Sequence, residues 1–185
     1  MKYIDTKLLK ISYDEDFEYS AGKFNRIISI KLNASELIWN RVSAGAGEGG
    51  HKKLVKFAIN KGANNFRGAL FWACKHGQKE LIEWILATLD SNQVSLPDSN
   101  LLDWGLEGAC FGGHKIIVEL MIEKGATDFN WGLTQACARG HKKIAKMMIE
   151  KGAKKCFACN TSIKEHKNDG NQNYNITQCL SMDCI

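Results

Sequence analysis

Proline is almost missing from this chain; Pro97 is the only one. Folds built on many Pro-marked turns are thereby disfavoured, and helices joined through glycine fit better. Long apolar runs are missing as well, since none approaches the roughly 20 residues that span a bilayer. The opening Met1-Lys2-Tyr3-Ile4-Asp5 lacks the apolar stretch of a secretory signal, so an intracellular chain is expected. No phosphate loop, dinucleotide glycine fingerprint or zinc-hydrolase motif is found. Gly45, Gly47, Gly49 and Gly50 form a glycine-rich stretch, but no Lys-Ser/Thr ending follows. It reads as a loosened turn after a helix. Carboxylates are scarce in one region. Between residues 139 and 167 only Glu150 and Glu165 oppose Arg139 and eight lysines, within a chain of net charge +5. A solvated helix face is the plain reading of that excess; an acidic partner or nucleic acid is the functional one.

Cysteine, by contrast, is plentiful, with seven residues. Without a secretory route reduced thiols are the default. Cys74, Cys110 and Cys137 fall inside helical patterns and read as small buried apolar residues. Cys156, Cys159, Cys179 and Cys184 fall in the C-terminal segment.

Internal repetition organises the rest. Residues 104–126, WGLEGACFGGHKIIVELMIEKGA, align without a gap to residues 131–153, WGLTQACARGHKKIAKMMIEKGA. Degenerate copies lie at 46–63 and 73–90. The equivalent positions His51, Gln78, His114 and His141 are separated by 27, 36 and 27 residues. Each unit reads as two short helices. The first, as in Trp131 to Cys137, is broken by Gly140. The second carries Ile144, Met147 and Met148 at helical spacing and closes on Lys151 and Gly152. Such helices are too short to be stable alone, so neighbouring copies must cover each other's apolar sides.

Leu133, Ala136, Cys137, Gly140, His141, Ile144, Gly152 and Ala153 resemble the ankyrin repeat. Leu106, Ala109, Cys110, Gly113, His114, Ile117, Val118, Leu120, Gly125 and Ala126 match the same frame. The Trp-Gly-Leu opening after Asp-Phe-Asn is similar to divergent ankyrin arrays of giant DNA viruses of amoebae. The resemblance implies an all-α, ankyrin-like helical repeat solenoid with shortened hairpin connections. It also implies that His51, His114 and His141, with Gly113 and Gly140, are structural, the histidines hydrogen-bonding between backbone turns. One departure is clear. Ankyrin units run to about 33 residues, whereas these are 27. The loss falls at Thr127 to Asn130, so the usual β-hairpin finger is expected to shrink to a tight connection. An insertion around Ser91 to Asn100 is expected to project as a loop.

The resemblance turns some positions outward onto the concave face: Trp72, Lys75 and His76, then Phe111, then Gln135 and Arg139. Large aromatics beside cations at such positions have the composition of interface hot spots. Packing against a neighbouring segment is the bland alternative. Trp39, Trp84, Trp104 and Trp131 read as core or inter-repeat residues. The Cys–His pairs 110/114 and 137/141 have the spacing of a nucleophile and its base, but a dyad repeated in every copy argues for architecture over catalysis.

Three regions are expected: a non-repeat N-terminal cap at 1–34, with Asn33 capping the first helix opposite Glu36; about four repeats at 35–155; and a polar Cys-containing tail at 156–185 that lacks the apolar surface to order itself. The expected function is non-catalytic protein recognition in a host cytoplasm, without a cofactor, small-molecule substrate or membrane. Two alternatives stand beside it. Cys156, Cys159, Cys179 and Cys184, with His166 in reserve, would suit zinc in an adaptor that recruits degradation machinery. The basic C-terminal third would suit nucleic acid.

Overall fold

The computed structural model describes residues 36–90 and 100–159, together with the strand residues 161–162, 165–168 and 171–174. The expected N-terminal cap, Asn33 and the inserted loop up to residue 99 lie outside the described residues. The described fold is all-α, with eight helices in four consecutive pairs. α1 (Glu36–Glu48) precedes α2 (Lys52–Asn60), and α3 (Phe66–Lys75) precedes α4 (Lys79–Asp90). α5 (Leu101–Gly112) precedes α6 (Lys115–Glu123), and α7 (Phe129–Ala138) precedes α8 (Lys142–Glu150). The chain forms two compact units that divide at residue 101, the first holding α1 to α4 and the second α5 to α8.

The second helix of each pair follows from its apolar spacing. In α2, Leu54, Val55 and Ala58 are buried; in α8, Ile144, Ala145, Met148 and Ile149 are. Lysines and glutamates take the outer side. The glycine before each second helix (Gly50, Gly77, Gly113 and Gly140) has φ between +70 and +79, which turns the chain sharply between paired helices. The first helices α3 and α7 open on side-chain caps. Asn65 Oδ1 accepts from the Gly68 amide at 3.4 Å, and Asp128 Oδ1 from the Trp131 amide at 3.0 Å. α7 therefore begins at Phe129, ahead of the Trp131 at which its pattern first reads as helical.

The glycine-rich stretch differs from its sequence reading. Gly45 and Gly47 lie inside α1, where both are buried. A Cβ on Gly47 would stand 2.5 Å from the Ala69 carbonyl oxygen of α3. The residue is glycine because two helix backbones meet there.

Among the described residues, the connections after α2, α6 and α8 are short. Each of these three is held by a side chain from the preceding first helix. Asn40 Oδ1 accepts from the Asn64 and Asn65 amides, both at 2.9 Å. Asp103 Oδ1 accepts from Thr127 and Asp128 at 2.6 and 2.9 Å, and Asn130 Oδ1 from Lys154 and Lys155 at 2.7 and 3.0 Å. One side-chain oxygen thus satisfies two consecutive connection amides that no helix or sheet ladder reaches. The equivalent residue in α3 is Arg67.

The chain continues in regular structure past the boundary expected at residue 156. β1 (Lys155–Cys156) pairs antiparallel with β2 (Thr161–Ser162), and Cys156 is wholly buried. The Phe157 amide donates to Thr134 Oγ1 at 3.0 Å, tying this hairpin to α7. Cys156 stands where the repeat would place a further Phe129, so the hairpin begins as another repeat would and then departs from helix. A second hairpin joins β3 (Glu165–Asn168) to β4 (Asn171–Tyr174).

Candidate functional site

The six outward residues expected from the repeat register fall into two clusters, one in each unit. In the first unit Trp72 stacks on His76, with ring centroids 5.9 Å apart and planes 18° from parallel. Both stand on the last turn of α3 or its cap, four residues apart, which brings them to one face. Lys75 Nζ lies 4.2 Å from the Trp72 ring, and Phe71 meets the same ring edge-on at 5.4 Å. From α1, Glu48 Oε1 approaches His76 Nε2 at 3.4 Å. Trp72, Lys75 and His76 are thus brought together, with Glu48 as a fourth member that the sequence reading missed.

In the second unit the cluster is a row along α5 and α7. Trp131 and Gln135 on α7 and its C-cap Arg139 are spaced four apart, as are Glu107 and Phe111 on α5, so each set lines one face. Gln135 Nε2 donates to Glu107 Oε1 at 2.7 Å. The Arg139 guanidinium sits 3.8 Å from the Phe111 ring centroid, a close cation–π contact. Burial pushes the Glu107 carboxyl above its ordinary range. Hydrogen bonds from the Trp131 and Gln135 side chains oppose that shift, and the Asp128 charge adds to it. Glu107 also had no role in the sequence reading. No single-sequence signal marks it, because its significance lies in the helix beside it.

Trp131, expected in the core or between repeats, is 40% exposed, so it is no core residue, but its side chain hydrogen-bonds Glu107 of the neighbouring repeat. Its ring lies 5.5 Å from that of Phe157, itself exposed, and Lys155 Nζ stands 4.9 Å from the Phe157 ring on the β1 side. The chain that follows α8 as a hairpin thus sets one aromatic side chain beside Trp131. Trp39, by contrast, is buried against Phe57 in an edge-on contact at 5.7 Å. Trp84 is half-buried beneath two lysines, with Lys56 Nζ at 5.1 Å and Lys52 Nζ at 6.0 Å from its ring.

The two clusters share a register. Glu48 corresponds to Phe111 and His76 to Arg139, each 63 residues apart. The same inter-helix position therefore carries a histidine–carboxylate contact in one unit and a cation on an aromatic face in the other.

The repeated histidine is structural at His141. Its Nε2 lies 3.1 Å from the Phe111 carbonyl oxygen. A carbonyl can only accept, so Nε2 carries the proton. Gly113 lies directly beneath; a Cβ there would come within 2.6 Å of the imidazole. Gln78 repeats the arrangement, donating from Nε2 to the Glu48 carbonyl at 2.9 Å over the same span of 30 residues. His51 and His114 hold the matching N-cap positions of α2 and α6. Around Gly140 no atom crowds a Cβ.

The cysteines of the repeats are buried. Burial raises the Cys74 thiol well above its ordinary range, and burial with the nearby Glu107 charge pushes Cys110 up to about 12. Thiolate formation is suppressed at both. Of the possible zinc ligands, Cys156 is packed in the core and Cys159 is half-exposed. Cys179 and Cys184 lie outside the described residues, and the side chain of His166 is likewise outside them. Among the described residues no helix is long and apolar enough to cross a membrane. No protein-family model and no curated protein matches the chain.

Proposed function

We propose that this chain is an ankyrin-like repeat solenoid that recognises another protein, without catalysis, through the outward faces of its first helices. The observation that carries the reading is an aromatic ring with a cation against it on the first helices of both units. Lys75 lies on Trp72, and Arg139 lies on Phe111. A ring already in contact with a cation keeps a shape ready for a partner, which lowers the ordering cost of binding. Aromatics and Arg are also the residue types that dominate binding energy at protein interfaces. The repeated polar clamps at Asn40, Asp103 and Asn130 support a repeat array, because the same bond recurs at the same spacing. The resemblance to arrays of amoebal viruses points to a host protein in the host cytoplasm.

Affinity capture from amoebal lysate tests this, comparing the wild type with a Trp72→Ala plus Phe111→Ala variant of unchanged circular dichroism. Specific partners recovered by the wild type should be lost by the variant. Equal recovery by both would reject the aromatic rings as anchors. Small-angle scattering tests the solenoid separately, since a stacked array gives an elongated profile and a closed globule does not.

A further inference from the structure

A different face carries a second inference, independent of the first-helix surface. It is the outer side of α2 and its neighbour α4. The second helices of all four pairs begin with a lysine: Lys52, Lys79, Lys115 and Lys142. In α4 and α6 a glutamate follows four residues later and closes an ion pair, Lys79 to Glu83 at 3.7 Å and Lys115 to Glu119 at 3.4 Å. In α8 the fifth position is Lys146, but Glu150 lies one turn on and accepts it at 3.9 Å. α2 departs from all three. Its fifth position is Lys56, and the place of Glu150 is taken by Asn60. From His51 to Ala63 the chain carries Lys52, Lys53, Lys56 and Lys61 and no carboxylate.

This arrangement works against the helix. Lys52 and Lys53 put positive charge on the first turn, where the backbone dipole is already positive. Lys52 and Lys56 are like charges one turn apart, a destabilising spacing. The four lysines and Phe57 are exposed, and the ammonium groups of Lys52 and Lys56 converge on the Trp84 ring. Lys61 Nζ stands 5.6 Å from the Phe57 ring. Aromatic faces hold the lysines together where carboxylates do so in the other helices.

We propose that this face is a docking surface for an acidic, carboxylate-rich segment of a partner protein, whose side chains supply the anions that α2 lacks. Two observations favour carboxylates over nucleic acid. Single-stranded nucleic acid binds by stacking bases on open aromatic faces, and here lysines lie over the rings of Trp84 and Phe57. Bidentate phosphate recognition relies on the planar fork of Arg, and neither α2 nor α4 contains one. A short row of point charges on a nine-residue helix suits a few carboxylates in an extended chain.

The test uses the full chain and three probes: a labelled peptide of alternating Asp, Glu and Gly, a labelled single-stranded oligonucleotide, and vesicles of phosphatidylserine and phosphatidylcholine. Lys56→Glu is the informative variant. It recreates the lysine–glutamate spacing of α4 and α6, so folding should hold. Lys115→Glu is the control, making the same change of charge on another helix. The acidic peptide should bind the wild type at low salt and weaken as salt is raised through the range that screens surface charge. Lys56→Glu should weaken it about tenfold or more, and Lys115→Glu about twofold or less. Equal effects of the two variants would overturn the assignment to α2, as would failure of the peptide to bind the wild type. Tighter binding of the oligonucleotide or the vesicles, lost in Lys56→Glu, would overturn the choice of partner. None of these outcomes involves Trp72 or Phe111, so they are separable from the first-helix reading.

Discussion

Gln78 reaches back 30 residues to donate from Nε2 to the backbone carbonyl of Glu48 at 2.9 Å. It stands where three other repeats have histidine, and it makes the bond that His141 makes to Phe111. Glutamine can do so because its amide nitrogen, like a protonated ring nitrogen, places a donor at the end of a planar group. A Cβ at Gly50 would be 2.4 Å from the Gln78 amide oxygen, just as one at Gly113 would strike His141. Glycine and the planar donor form one device, in which the missing Cβ makes room for the group that spans to the preceding turn.

The first prediction follows. Gln78→Ala removes the donor and should destabilise the protein by about 1–2 kcal/mol in denaturant unfolding. Gln78→His should recover most of that loss. If the histidine variant unfolds as early as the alanine variant, the two side chains are not equivalent.

Gly113 and Gly140 separate strain from crowding. Their φ values are +79 and +70, so Ala meets a similar backbone penalty at each, about 1 kcal/mol. Only Gly113 has the imidazole of His141 within 2.6 Å of a new Cβ. Gly113→Ala should therefore lower the melting temperature distinctly more than Gly140→Ala. Equal shifts would mean that His141 moves aside without cost.

The polar clamps are tested at Asn130. Asn130→Ala frees the amides of Lys154 and Lys155 and should cost about 1–3 kcal/mol. Asn130→Asp keeps an acceptor, as Asp103 does at its own connection, and should cost far less. Hydrogen exchange at the two amides is the direct measurement, and unchanged protection in the alanine variant would discard the clamp.

Glu107 predicts a pH effect of defined sign. Its carboxyl is raised in the folded protein, chiefly by burial. The unfolded chain therefore ionises first as pH rises. This residue opposes stability once pH passes the ordinary glutamate range, and the opposition is complete above the raised folded value. Below the ordinary range it vanishes. Glu107→Gln keeps an acceptor oxygen for Gln135 and Trp131 but carries no charge. Relative to wild type the variant should gain stability as pH rises from 4 to 7, judged by thermal melts across that range. A variant that loses ground with rising pH would show that the carboxylate is stabilised in place.

Legibility differed from residue to residue. The helix pairs around His114 and His141 could be read because apolar spacing, the intervening glycine and the Lys-Gly-Ala ending all act within a few residues. Trp72, Lys75 and His76, and Phe111 with Arg139, were placed by register alone, and each set is brought together. The clamps at Asn40, Asp103 and Asn130 were missed because each acts 24 and 25 residues away, and a polar residue in a short helix looks like surface. Gly47 was read as loosening a turn when it admits a neighbouring helix. The exposure of Trp131 and the burial of Cys156 were not legible for one reason. The repeat frame assumes that another helix follows, and a hairpin follows instead.

The chain alone determined the number of helix pairs, their order and the polarity of their faces. Those depend on steric and hydrophobic preferences that neighbouring residues express locally. Only the tertiary structure decided which carbonyl each planar donor reaches, which carboxyl is half-buried, and which tryptophan is left partly exposed. Those outcomes depend on distances between segments far apart in sequence, and such distances exist only once the helices have packed.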